Sequence, residues 1–85
     1  MNKKQLNKTQ KDALLDEVRE EIEVLDNMSM YGVARDGYTR REQCAYIDGL
    51  KALEVDFTTG EEQQAYNAGM ARREEIINFN SDELN

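Results

Sequence analysis

The sequence predicts an all-α fold: a three-helix domain in which a first helix packs on an antiparallel helical hairpin of two similar helices. Three observations carry that expectation. The middle of the chain repeats itself, the first third spaces its apolar residues at helical intervals, and proline is absent, so no helix interior is broken by a ring clash or a missing donor. Residues 39–54 read TRREQCAYIDGLKALE and residues 59–74 read TGEEQQAYNAGMARRE. At an offset of 20, Thr39/Thr59, Glu42/Glu62, Gln43/Gln63, Ala45/Ala65, Tyr46/Tyr66, Gly49/Gly69 and Glu54/Glu74 are identical.

The first helix is expected to start at Thr9, whose hydroxyl can cap it, and to run to about Asn27. Leu14, Leu15, Val18, Ile22 and Leu25 form its apolar stripe. Four of them also fit a heptad, but for too few turns to make a coiled coil, so packing on the other two helices is the preferred reading. Residues 28–38, MSMYGVARDGY, break the pattern with Gly32 and an Asp36-Gly37 turn dipeptide. They alternate too little for a β-hairpin and read as a greasy ordered loop. Met28, Met30, Tyr31, Val33 and Tyr38 either roof the core or, with Met30 and Tyr31 foremost, meet a partner.

Both repeat copies open with Thr-x-x-Glu, the pattern in which side chain and backbone cap a helix start reciprocally. The second helix is expected from Thr39 to about Val55, burying Ile47, Leu50 and Leu53. The third should run from Thr58 or Thr59 to about Asn78, burying Tyr66, Met70 and Ile76 or Ile77. Gly49 and Gly69 stand mid-helix, where glycine costs up to about 1 kcal/mol relative to alanine. Each lies four residues after an alanine, so Ala45/Gly49 and Ala65/Gly69 set two small residues on one face of each helix. Close contact of those faces would explain the cost. Residues 1–8 and 79–85 are expected to be frayed tails.

The 85 residues make one small domain, near the size at which a single core only just outweighs chain entropy. No apolar run is as long as a membrane span, and the Lys-bearing start has no signal-peptide core. The lone Cys44 has no internal partner, which fits a reducing, cytoplasmic setting and a small buried hydrophobe. A net charge of −7 disfavours direct attraction to nucleic acid or anionic membrane.

Little in the chain promises catalysis. With no histidine, the commonest general base, the commonest metal ligand and every histidine-dependent nucleophile pair are missing. No Cys or His spacing suits zinc, and no cofactor is expected. Counting Gly37 as the sixth position of an EF-hand leaves Gly32 and Ala34 where carboxylates are needed. The Gly-Val-Ala-Arg-Asp-Gly stretch lacks the Lys-Ser/Thr of a phosphate loop. The chain is therefore read as non-enzymatic. The last two helices outline a helix-turn-helix, but Glu61 and Glu62 at the entry of the reading helix would face phosphates. Arg40, Arg41, Arg72 and Arg73 are expected to pair with neighbouring acids.

Charge is patterned along the chain. Residues 1–11 carry four lysines and no acid, whereas residues 12–27 carry seven acids against Arg19 alone. Asp12, Asp16, Glu20 and Glu23 fall in one angular band of the first helix with Asp26 beside it, and Glu17 and Glu21 flank the apolar stripe on the other side. Four residues rise about 6 Å along a helix, so the band sets out regular negative charge over roughly 20 Å. In charge density that is close to one edge of a nucleic-acid backbone.

In size, acidity, lack of His and Pro, and its two AYxxG helices at Ala45–Gly49 and Ala65–Gly69, the chain resembles small acidic inhibitor proteins encoded by bacteriophages. The resemblance implies a binding protein directed at a host enzyme or defence complex, and it carries over no functional residues. The expected partner-binding surface is Asp12, Asp16, Glu20, Glu23 and Asp26 with Met30 and Tyr31, and the expected partner is a protein with a basic surface. A self-associating helical module, as a homodimer, is the alternative, and a small DNA-binding regulator is the second.

Overall fold

A computed structural model describes residues 6–29, 32 and 37–80. Among them are three helices and no strand: α1 (Lys8–Asp26), α2 (Arg40–Lys51) and α3 (Gly60–Phe79). The all-α, three-helix class is the one the sequence predicts. The boundaries differ in ways that have local causes.

Helix α1 is capped two residues earlier than Thr9. Asn7 is the cap: its Oδ1 accepts from the Gln10 N–H at 2.7 Å, and Gln10 Oε1 accepts from the Asn7 N–H at 2.8 Å. The Gln10 amide then donates through Nε2 to the Ile77 carbonyl of α3 at 2.9 Å, so one buried side chain both closes the helix start and anchors it to α3. A threonine two residues later has no such second anchor.

Helix α2 has the expected reciprocal cap between Thr39 and Glu42. It stops at Lys51, short of Val55. Ala52 turns left-handed (φ 59°, ψ 38°), and the Leu53 N–H reaches back to the Asp48 carbonyl at 3.0 Å while the Ala52 N–H bonds the Gly49 carbonyl, closing the helix end. Leu53, expected in the core, is consequently exposed in the connection.

Helix α3 is capped by Thr59, whose hydroxyl accepts from the Glu62 N–H at 3.1 Å. The Glu62 carboxylate goes to Arg41 instead, at 3.7 Å.

The most extensive contact in the domain is between α2 and α3. Gly49 and Gly69 lie at its centre: a β-carbon on Gly49 would fall 3.1 Å from the Gly69 Cα, and one on Gly69 would fall 3.1 Å from the Gly49 Cα. Ala45 and Ala65, the other small residues of each face, are both 1% exposed. The small-residue contact expected from the repeat is therefore present.

Direction follows from the ion pair between first turns. Arg41 and Glu62 precede the two glycines by eight and seven residues, and at about 1.5 Å per residue an antiparallel pair would hold them roughly 20 Å apart. Their contact puts the starts of α2 and α3 at one end. Helix α1 runs against both: Gln43 meets Glu21 and Arg40 meets Leu25, while Gln10 meets Ile77 and Arg72 meets Glu17. The pair is hairpin-like in its close packing, but its sense is not that of a plain antiparallel hairpin. Residues 53–57 carry the chain back along α3, where Leu53 accepts from the Tyr66 hydroxyl at 2.6 Å and Phe57 packs on the Tyr66 ring at 5.2 Å.

Val18, Ile47 and Leu50 form the core centre, with Ile22, Leu25 and Tyr46 packed against them. Leu14 and Ile76 are also buried. Leu15, placed on the apolar stripe by its spacing, is instead 49% exposed, because α2 and α3 cover the adjoining arc of α1. Cys44 is exposed, not the buried hydrophobe expected.

Candidate partner-binding face

The arc of α1 turned away from α2 and α3 holds Asp12, Asp16, Glu20, Glu23 and Asp26, and all five are exposed. Asp12 pairs with Lys8 at 3.1 Å and Asp16 lies 4.0 Å from Arg19, both at the surface. Exposed pairs of this kind are worth about 0–1 kcal/mol and exchange readily with other partners. Glu20, Glu23 and Asp26 have no ion pair among the described residues.

The two acids of the opposite flank behave differently. Glu17 binds Arg72 at 3.3 Å, where Arg72 also holds Glu75 at 3.1 Å; these bonds push the Arg72 pKa up. Glu21 is 4% exposed and takes both amide hydrogens of Gln43, at 2.8 Å on Oε1 and 3.0 Å on its backbone carbonyl. Seven similar acids in sequence thus split into five facing outward and two built into the packing. Next to Glu21 and Glu17, the Tyr46 hydroxyl has its pKa pushed up to about 12, first by burial and then by those two carboxylates.

All four arginines are engaged within the domain, but only two of them pair with acids as expected; the other two serve backbone carbonyls. Arg41 and Arg72 hold acids, while Arg40 donates to the Leu25 and Met28 carbonyls at 3.2 and 3.4 Å around the C-terminal end of α1. Arg73 donates to the Leu50 carbonyl at 2.9 Å near the end of α2. No two of them form a free basic stripe.

No protein-family model matches this chain, and no curated protein or solved structure matches it either.

Of the loop residues, Met30, Tyr31 and Val33 lie outside the described residues. Its ends take the roofing role: Met28 is half-buried, and Tyr38 packs on Tyr46 with ring centroids 5.7 Å apart. No helix among the described residues is long and apolar enough to cross a membrane, and no group of three or more His, Cys, Asp or Glu there is placed to hold a metal ion.

One feature of the surface went unread in the sequence. Beside α1, along the edge of the acidic arc that Asp12 occupies, an open apolar groove of about 370 Å³ is lined by Leu6, Leu14, Val18 and Leu50, with Leu15 at its lip. Lys11, Lys51 and Arg73 stand on its rim with one acid, Asp12.

Proposed function

We propose that this chain is a non-enzymatic binding protein whose acidic α1 face occupies a basic surface, of the kind that binds nucleic acid, on a protein partner. The observation that carries the reading is the division of the α1 acids. Five face solvent on one arc while Glu17 and Glu21 are drawn into the packing. Like charges one turn apart cost about 0.2–0.5 kcal/mol per pair, and three of the five acids have no ion pair among the described residues to offset that cost. A basic partner would relieve the repulsion on binding. The reading agrees in character with small acidic phage-encoded inhibitors of host enzymes or defence complexes.

The test is charge reversal. Asp16→Lys, Glu20→Lys and Glu23→Lys together should abolish capture of the partner from a lysate of the native host, while circular dichroism stays helical. Capture by the unmodified protein should fall steeply between low and moderate salt, where charges a Debye length of about 8–10 Å apart become screened. Added nucleic acid should compete. Equal capture by the triple variant at every salt concentration overturns the reading.

A further inference from the structure

We infer that the groove beside Leu15 is a self-complementary surface that takes a second copy of this chain. Its floor is apolar, and three cations stand on its rim in a chain of net charge −7. Lys11 and Lys51 are exposed and have no ion pair among the described residues. The occupant this surface fits is an apolar side chain flanked by carboxylates.

The chain carries such a group at the lip of the groove itself. Leu15 is 49% exposed, and Asp12 and Asp16 adjoin it on the same helix. Hole and knob share one patch, which is the condition for a two-fold contact in which the same surface serves on both copies. Leu15 of each copy enters the groove of the other beside Leu6 and Leu14. Asp12 and Asp16 then approach Lys51 and Arg73 of the other copy. A foreign acidic helix would satisfy the cations equally, but it would leave the Leu15 knob unexplained. The contact uses only one edge of the acidic arc and leaves Glu20 and Glu23 outward, so it goes beyond the proposed function and does not depend on it.

Sedimentation equilibrium of the full chain over a concentration series tests this with pure protein and no other partner. The expected result is a monomer–dimer equilibrium whose dissociation constant rises by at least about tenfold in Leu15→Glu and also in Lys51→Glu. Both positions are exposed, and circular dichroism checks that the helices persist. A dimer indifferent to both substitutions overturns the proposal, because another surface then makes it. A chain that remains monomeric at every concentration also overturns it and gives the groove to another occupant. Shifts of the Leu15 and Lys51 resonances on adding an acidic amphipathic peptide would identify that case.

Discussion

Gly49 and Gly69 fill each other's missing side-chain space, and they do so symmetrically. A β-carbon on Gly49 would run into the Tyr66 carbonyl oxygen and come within 2.9 Å of the Met70 nitrogen; one on Gly69 would run into the Tyr46 carbonyl oxygen and come within 3.0 Å of the Leu50 nitrogen. Tyr46/Tyr66 and Leu50/Met70 are related by the same offset of 20 as the glycines. The repeat in the sequence is thus a local two-fold relationship in space.

Replacing either glycine by alanine is expected to destabilise the domain. Alanine gains up to about 1 kcal/mol of helix propensity, but the obstructing atoms are backbone and have no rotamer to escape into. Overpacking of this kind costs about 1–3 kcal/mol, so the net sign is unfavourable, and larger side chains should be worse. Thermal melting of Gly49→Ala and Gly69→Ala checks it: a melting temperature at or above the parent's in both would show that the backbones separate freely.

Ala52 offers the opposite sign. Its left-handed conformation costs an L-residue about 1–2 kcal/mol, against about 0.5–1 kcal/mol that glycine loses through its freer unfolded chain. Ala52→Gly should therefore raise stability by up to about 1 kcal/mol, read as a higher urea midpoint at unchanged slope. A lower midpoint would mean that the turn tolerates alanine without strain.

Gln43→Leu keeps the side-chain volume and removes both hydrogen bonds given to Glu21. Losing one hydrogen-bond partner of a buried polar group costs up to about 1–3 kcal/mol. The double variant with Glu21→Leu should recover much of that loss, because the Glu21 carboxylate is then no longer in the packing. Chemical denaturation of the three variants provides the comparison. Additive losses would rule out coupling between the two side chains.

Alkaline pH should act on Tyr46. Its pKa is pushed from the ordinary 10 up to about 12 in the folded chain, so between those values the native state holds a proton that the unfolded state has released. Stability contributed by the neutral hydroxyl is fully present below pH 10 and is lost as pH rises from 10 to 12. Tyr46→Phe should flatten that part of the melting-temperature profile relative to the parent. Superimposable profiles would show that the hydroxyl is not held in its neutral form.

The helices and the α2–α3 contact were legible in the sequence because their signals are local. Thr-x-x-Glu marks a start, and a mid-helix glycine repeated at one offset marks a close approach. Less was legible where a second element decides. Asn7 outcompetes Thr9 only because Gln10 also reaches Ile77, and Leu15 is left outside because of where α2 and α3 lie on α1. The same holds for the acids of the candidate face. Glu17, Glu20 and Glu21 are chemically alike along the chain, and Arg72 and Gln43 from other helices set two of them apart. The sense of the α2–α3 pair depends on the path of the connection, which no residue pattern announced.

The unequal contacts among the three helices have a dynamic consequence. Helix α1 touches α2 and α3 far less extensively than they touch one another, and its tie to α3 through Gln10 and Ile77 spans nearly the whole chain. Closing so long a loop brings little local reward until the end, which makes α1 the last element to dock and the first to lift away. Its amides should exchange with solvent deuterium ahead of those around Gly49 and Gly69. The helix that displays the carboxylates is then also the helix with the lowest barrier to release, and a partner gripping it acts on the opening equilibrium of the whole domain.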